Sequence, residues 1–436
     1  MICHATDFGG LIRRAPARVL RPASVDEVRA AVAAQRAPFV ARGQGHSTRG
    51  HTLIEGGTVL DLTLLEGVVE LGRDRVRVLA GTRWSDLVTF TVGHGLTPPV
   101  LTDYLGISVG GTLSVGGIGG QSFRHGLQID NVLELQVVTG EGRLVRCSRE
   151  HEPALFAAVC GGLGQFGVVV EATLALLPAP HTVHVTHVTV SGVERFVRSQ
   201  IQIIEAAGSA QPGDGDAFDY VLGNILPGDG SAFDFELECV QYQHGASVAA
   251  ADLAALGPTR ATSMTYLEYV TRLAPLGAIM QGEPALRPRH PWCDLFLSAD
   301  ACTEFLERTL SALHPDELRA GYAMTYPVRN EHLRSVSPAL PEANHSLLVA
   351  ILPSFDVQQD AGLHAYEQKL PALFAHARSL GGTVYPHSFP VGTEHFGTRE
   401  DWARQLGRSW SELVALKRRY DPERVLGAGV GIDWDG

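Results

Sequence analysis

The apolar positions of this chain change period often, and each change marks an element. Val28 and Val32 stand four apart behind Pro22-Ala23-Ser24-Val25-Asp26-Glu27. Ser24 and Glu27 have capping-box spacing, so a helix is predicted to start there and end near Pro38. Phe39-Val40-Ala41-Arg42 then reads as a short strand, and Thr58 to Leu62 and Val76 to Leu79 run or alternate apolar as strands do. Helical spacing returns from Trp84 to Val92. Val132 to Val138 is strand-like, and Thr139-Gly140-Glu141-Gly142 is a hairpin signal before Arg143-Leu144-Val145. A helix from Ala154 to Val159 and a long apolar strand from Phe166 to Leu177 follow. Short helices mixed with strands in this way indicate an α/β or α+β layer arrangement.

The pattern changes after Pro178-Ala179-Pro180. His181 to Val190 alternates and is β-branched, a helix is predicted near Val193 to Ala206, and a Gly/Asp-rich stretch runs from Gly208 to Asp216. Strands at Phe218 to Ile225 and Phe233 to Gln243 come next. In the second of these, Asp234, Glu236 and Glu238 alternate with Phe233, Phe235 and Leu237, which reads as one solvated, charged face. The expected division is a first domain over 1–180, a second over 181–397, and a segment over 398–436 that returns to the first. That last segment is predicted to hold one helix from Trp402 to Arg419, stopped by Asp421-Pro422. A chain of 436 residues is too long for one small core.

Hydrophobic content of 45% and charged content of 19% are those of an ordinary globular protein. The net charge of −12 argues against a nucleic-acid surface, which needs a basic stripe. Six cysteines (Cys3, Cys147, Cys160, Cys239, Cys293 and Cys302) form no CxxC pair, which argues against a zinc ribbon or thiol-redox motif. Their even number permits disulfides; dispersed reduced thiols are the reading preferred. Met1 to Gly10 contains Asp7 and no apolar run, unlike a secretory signal, and no stretch approaches the roughly 20 apolar residues of a membrane helix. A cytoplasmic location is expected.

The candidate chemistry lies in glycine-rich loops. Arg42-Gly43-Gln44-Gly45-His46-Ser47, Ser108-Val109-Gly110-Gly111-Thr112-Leu113-Ser114 and the run from Gly161 to Gly167 all fall in the first domain. Such loops are either tight turns in a compact sheet or a backbone cradle for a large diphosphate cofactor. Gly162, Gly164 and Gly167 complete a GxGxxG, but it follows a helix and precedes a strand, the reverse of the Rossmann order. His46 is either an ordinary loop histidine or, between Gly45 and Ser47, a ring in close contact with a planar ligand; no second ligand at metal spacing accompanies it. Asp103 is either a turn residue or a carboxylate that takes a proton from a substrate N–H or O–H. Arg287, Arg289 and His290 read as a mixed surface or a basic rim, and Trp292 and Phe296 as packing or pocket-lining residues.

At these residues the chain resembles the cytokinin dehydrogenases, within the vanillyl-alcohol-oxidase-type flavoproteins. The matching runs are ARGQGHS, TDYLGISVGGTLS, GIGGQSFRHGLQIDNVLELQVVTGEG, LFAAVCGGLGQFGVV, HPW and RRYDPERVLG, spread from residue 41 to residue 426. The resemblance implies an α+β fold: a two-subdomain PCMH-type FAD-binding domain with an α+β substrate-binding cap. It implies FAD attached through His46. Gly43, Gly45 and Ser47, with Gly110, Gly111, Thr112 and Ser114, would hold the pyrophosphate, and Arg42, Gln44 and Ser108 would also bind the cofactor. Gly117, Ile118, Gly167 and Val168 would touch the rings or ribityl chain. Asp103 would contact the flavin and accept the substrate proton while hydride passes to flavin N5, with oxygen or another acceptor reoxidising it. Leu222, Trp292, Asp294 and Tyr385 would line the substrate. The departures fall in that half: Leu222 replaces the glutamate of FDYVEG, Asp294 an asparagine, Val430 the glutamine of PGQ, and Val115 the asparagine after TLS. The expected activity is oxidation of a C–N bond in a small amine that is not a classical cytokinin. Alcohol or sugar oxidation on the same scaffold, without a cysteine in Ser114-Val115-Gly116-Gly117 for a second attachment, and a redox-inactive flavin-binding protein are the rivals.

Overall fold

The computed structural model describes residues 4–207, 217–229, 232–244, 253–280, 287–318, 320–356, 358, 360–388 and 397–434. Cys3 and the 208–216 stretch lie outside them. The first helix, Val25–Ala33, begins as its sequence requires: the Ser24 side chain accepts from the Glu27 N–H, and Glu27 reaches back to the Ala23 N–H at 2.8 Å. Its buried residues, Val28 and Val32, join Phe39 and Leu60 in one core. The helix crosses over between strands Arg18–Leu20 and Phe39–Arg42, which both pair parallel with Thr58–Asp61 lying between them. Beside this small sheet stands an antiparallel one, in the order Val68–Leu71, Arg75–Leu79, Val168–Ala175, Val132–Val138, Leu144–Ser148. Gly142 closes the hairpin between its last two strands at φ 77°, where glycine has no Cβ to clash.

Strands from Thr182 onward build an eight-stranded sheet among the described residues. Its order is Thr259–Thr265, Thr182–Val190, Phe233–Gln243, Tyr220–Pro227, Tyr322–Arg329, His345–Leu352, Cys293–Ser298, Thr383–Val384. The sheet is covered on both faces, and this corrects the expectation of a solvated charged stripe. Phe235, Leu237 and Cys239 pack into a core on one side, while Val240, two residues beyond Glu238, packs into the core shared with the first sheets. Glu236 and Glu238 are therefore buried, Glu236 against Arg260 and His187, and Glu238 against Tyr269 and Arg272; Asp234 alone of the three is exposed. Together the sheets and the helices on them form an α+β fold.

The single C-terminal helix expected from Trp402 to Arg419 is two. Arg399–Gln405 ends before Gly407, which turns left-handed at φ 61°, and Ser409 with Glu412 forms a new capping box for Trp410–Tyr420. The chain beyond packs back on the first sheets: the Gly140 N–H donates to Tyr420 O and the Phe39 N–H to Val425 O, both at 2.8 Å. No helix among the described residues is long and apolar enough to cross a membrane.

Candidate functional site

The glycine loops and the cap enclose a cavity of ≈ 350 Å³. The loop after Phe39–Arg42 is shaped by Arg42, whose buried guanidinium donates to Thr52 Oγ1 (3.2 Å) and Thr6 O (3.4 Å). Gly45 turns over it at φ 75°, so closely that a Cβ there would collide with the guanidinium. Gly43 meets Ser108 in the same way, which brings the two loops together. In the second loop, Thr112 Oγ1 accepts from Trp84 Nε1 (2.7 Å) and donates to Val109 O (3.0 Å), and Ser114 Oγ donates to Gly110 O (2.8 Å). Both hydroxyl protons are thus committed to carbonyls. Among the described residues no hydrogen bond is donated by the backbone N–H groups from Gly43 to Ser47. Successive amides of this kind around a left-handed glycine make a concave anion site, which fits a diphosphate.

His46 lines the same cavity, stacked on Phe8 (ring centroids 4.2 Å apart) and tilted against Tyr104 (4.9 Å). Burial, reinforced by the positive charges of His387, His290, Arg42 and Arg287, pushes its pKa down to about 3. The ring is neutral at ordinary pH, with a lone pair on one nitrogen. Trp292, edge-on to the same Phe8 ring (5.0 Å), buries its Nε1 with no partner among the described residues. The amide nest, the neutral histidine and the unpaired indole fit a large diphosphate-bearing ring cofactor.

Asp103 opens onto the cavity from the loop that carries Tyr104. Its Oδ1 accepts from Tyr220 Oη at 2.7 Å and from Arg272 Nη2 at 3.1 Å. Arg272 also reaches Glu238 Oε1 (3.5 Å), which accepts from Tyr269 Oη (2.6 Å), and the guanidinium lies 4.2 Å from the Tyr269 ring centroid. Leu273, Leu276, Tyr322, Met324, Tyr326 and Leu348 supply an apolar, aromatic wall. Across from them Asp294 is buried, 3.1 Å from His387 Nδ1, and His387 in turn lies against Trp292 (5.7 Å).

The structure thus brings Arg42, Gly43, Gln44, Gly45, His46, Ser47, Asp103, Ser108, Gly110, Gly111, Thr112, Ser114, Ile118, Gly167 and Val168 to one cavity, together with Trp292, Asp294 and Tyr385. Two candidates do not line it. Gly117 stands one layer back and donates its N–H to Tyr385 Oη at 2.9 Å. Leu222 is buried in the core opposite Glu238 in the strand register, so it does not form an apolar entrance. Phe296 is core, edge-on to Tyr385. Of the expected basic rim, His290 stacks on Phe8 and Arg289 pairs its backbone with Phe355. Sequence reasoning missed Tyr220, Glu238, Arg272 and His387. A lone arginine between apolar runs, in Tyr269-Val270-Thr271-Arg272-Leu273, was the available signal for the third.

Comparison with known proteins agrees with this geometry. Residues 16–148 match a family described as an FAD binding domain, and residues 255–432 match one described as cytokinin dehydrogenase 1, FAD and cytokinin binding. An uncharacterized oxidoreductase of the fasciation locus of Rhodococcoides fascians is 33% identical over 440 residues, covering 98% of this chain and 96% of that protein. Cytokinin dehydrogenase 6 of Oryza sativa is 32% identical over 485 residues, covering 98% and 89%. Cytokinin dehydrogenase 4 of Arabidopsis thaliana is 29% identical over 475 residues, with the same coverage. An FAD-type diphosphate cradle, a capping sheet over it and relatives matched nearly end to end lead to one statement: the protein belongs to the cytokinin dehydrogenase family of FAD-dependent oxidoreductases.

Proposed function

We propose that this protein oxidises the carbon–nitrogen bond of a small amine. The observation that carries the reading is that Asp103 and His46 open onto one cavity, with Tyr104 next to the first and against the second. Bound FAD would supply the hydride acceptor, at N5, and pass electrons to oxygen or another acceptor. The amides from Gly43 to Ser47 hold the diphosphate, and neutral His46 is the residue for covalent attachment. Asp103, gripped on Oδ1, takes the proton of the substrate nitrogen. The aromatic wall excludes water around the reacting carbon, and Trp292 Nε1 is a donor for the substrate. The FAD-binding unit is assigned to 1–180, the cap to 181–397 and the returning segment to 398–436; the change of sheet between Pro178 and Thr182 supports the first boundary.

The test is a visible spectrum of the purified protein, acid precipitation, and anaerobic mixing with amines and alcohols. Yellow colour is expected to stay with the pellet and to be lost from it in His46→Ala. Amines are expected to bleach the flavin, and Asp103→Asn to slow bleaching by about 10²–10⁴-fold, the usual contribution of a general base. Bleaching by alcohols alone would move the assignment to alcohol oxidation. A protein that binds no FAD would overturn it.

A further inference from the structure

Asp103 is not an isolated carboxylate. Tyr220 reaches it from Tyr220–Pro227, and Arg272 from the turn after the helix Tyr266–Val270. Tyr322 and Tyr326 of the neighbouring strand feel its charge. Glu238 of Phe233–Gln243 is the second carboxylate, bound to the same guanidinium nitrogen and to Tyr269. The guanidinium's contacts are to Asp103, Tyr220, Glu238 and the Tyr269 ring, so it acts on the base. Burial works against the charge of Arg272, but Asp103, Tyr269, Tyr220 and Glu238 outweigh it and hold it protonated. Burial raises Tyr220, Tyr269 and Tyr326 well above the ordinary tyrosine range, so they stay neutral donors.

From this geometry we infer that Arg272 is a positioning residue that keeps Asp103 ionised next to Glu238, and that Glu238 sets how strongly Asp103 attracts a proton. A part-buried carboxylate, Asp103, and a buried one, Glu238, share one cation. Without the cation they repel each other, only Asp103 having access to the cavity, and proton uptake relieves the repulsion. Asp103 would then be protonated before it meets substrate and could not act as a base. Tyr220 and Arg272 both grip Oδ1, and Tyr326 approaches the same carboxylate from the neighbouring strand. The inference rests on the reading of Asp103 as the base, but its test does not require turnover.

The test is a pH titration of the protonated-carboxyl infrared band in the FAD-loaded protein labelled with carboxyl-¹³C aspartate, with Asp103→Asn assigning the band. Arg272→Met is expected to raise the midpoint of that band by about one pH unit or more, a tenfold gain in proton affinity. Arg272→Lys keeps the charge and is expected to stay near the parent protein. Arg272→Met combined with Glu238→Gln is expected to return most of the shift, because the repelling carboxylate is gone. A midpoint unmoved in Arg272→Met, or moved equally in the double variant, overturns the inference. Should Arg272→Met not fold, Glu238→Gln alone decides: its midpoint must fall, and an unmoved or raised midpoint overturns the inference. Failure of every amine to bleach the flavin, with the band behaving as expected, would remove the proposed activity and leave the Arg272–Asp103–Glu238 coupling standing.

Discussion

Replacing Lys417 by methionine takes the ammonium group out of a place that water does not reach. Lys417 is 2% exposed and Asp421 fully buried; the two meet at 2.8 Å. The ammonium also donates to Gln165 O (2.8 Å) and Leu426 O (3.0 Å). Removing one partner of a buried pair costs about 3–5 kcal/mol, because the other charge is left behind. Two features hold the figure to the low end of that range. Asp421 keeps the backbone donors Val425 (3.0 Å) and Leu426 (2.9 Å). Burial also lowers the Lys417 pKa despite Asp421, so the folded site already opposes part of the charge. The expected loss is about 3 kcal/mol; Lys417→Met with Asp421→Asn removes the stranded charge but turns one carboxamide NH2 against the Val425 or Leu426 N–H, so it should recover only part, about 1 kcal/mol. Urea unfolding followed by tryptophan fluorescence is the assay, since Trp434 lies 5.3 Å from the ammonium. A loss under about 1 kcal/mol for the single variant, or no recovery in the double, would refute the account of this pair.

Asp7 accepts from the Leu11, Ile12 and Gly50 amides, yet burial lifts its pKa to about 6. The folded carboxyl holds its proton more tightly than the unfolded one, so native stability falls as pH rises from 3.8 through about 6. Asp7→Asn should therefore gain melting temperature on the parent protein across that window; a constant difference would count against it. His46 is held neutral down to about pH 3, whereas the unfolded ring protonates near 6.5, so its contribution to stability is lost as pH falls below 6.5. Its imidazole proton resonance in the FAD-free protein should not titrate near 6.5, and a midpoint there would disprove the burial argument. Gly45→Ala forces both a left-handed alanine and a collision with Arg42, and should cost about 1–3 kcal/mol and weaken FAD retention. Gly164, at φ 70° with no atom within 4 Å of a new Cβ, should lose only about 1 kcal/mol on the same change; equal losses by thermal shift would show that the Arg42 contact is not what matters.

Elements set by local chemistry were legible in the sequence. The Ser24 cap, the Thr139–Gly142 turn and the runs Trp84–Val92, Val132–Val138 and Phe233–Gln243 depend on residues near in the chain, and the structure has them where the pattern puts them. The glycine loops were legible because close backbone approach selects glycine. What depends on contacts across the fold was not. Glu236 and Glu238 alternate like a solvated face, and only the packing over that sheet shows that they are buried. Arg272 is 169 residues from Asp103, and no periodicity links them. Leu222 stands where the resemblance has the glutamate of FDYVEG, yet it is Tyr220, on the same strand face, that contacts Asp103. The break at Gly407 was visible as a glycine before a Ser409/Glu412 box, a signal that apolar spacing across it outweighed.

The closing wall of the cavity comes from late in the chain. Gly427 lines it, accepts from Gln165 Nε2 at 2.9 Å, and is carried there by the segment that Lys417 and Asp421 anchor. During synthesis the glycine loops near residues 43 and 110 leave the ribosome long before this segment, with the whole eight-stranded sheet made in between. The FAD-binding half therefore waits, with Val28, Phe39 and Val168 lacking Val425 and Leu426 as core partners, until translation is nearly over. The order of synthesis predicts that cofactor loading follows release of this last segment. A chain stalled on the ribosome before residue 417 should be colourless.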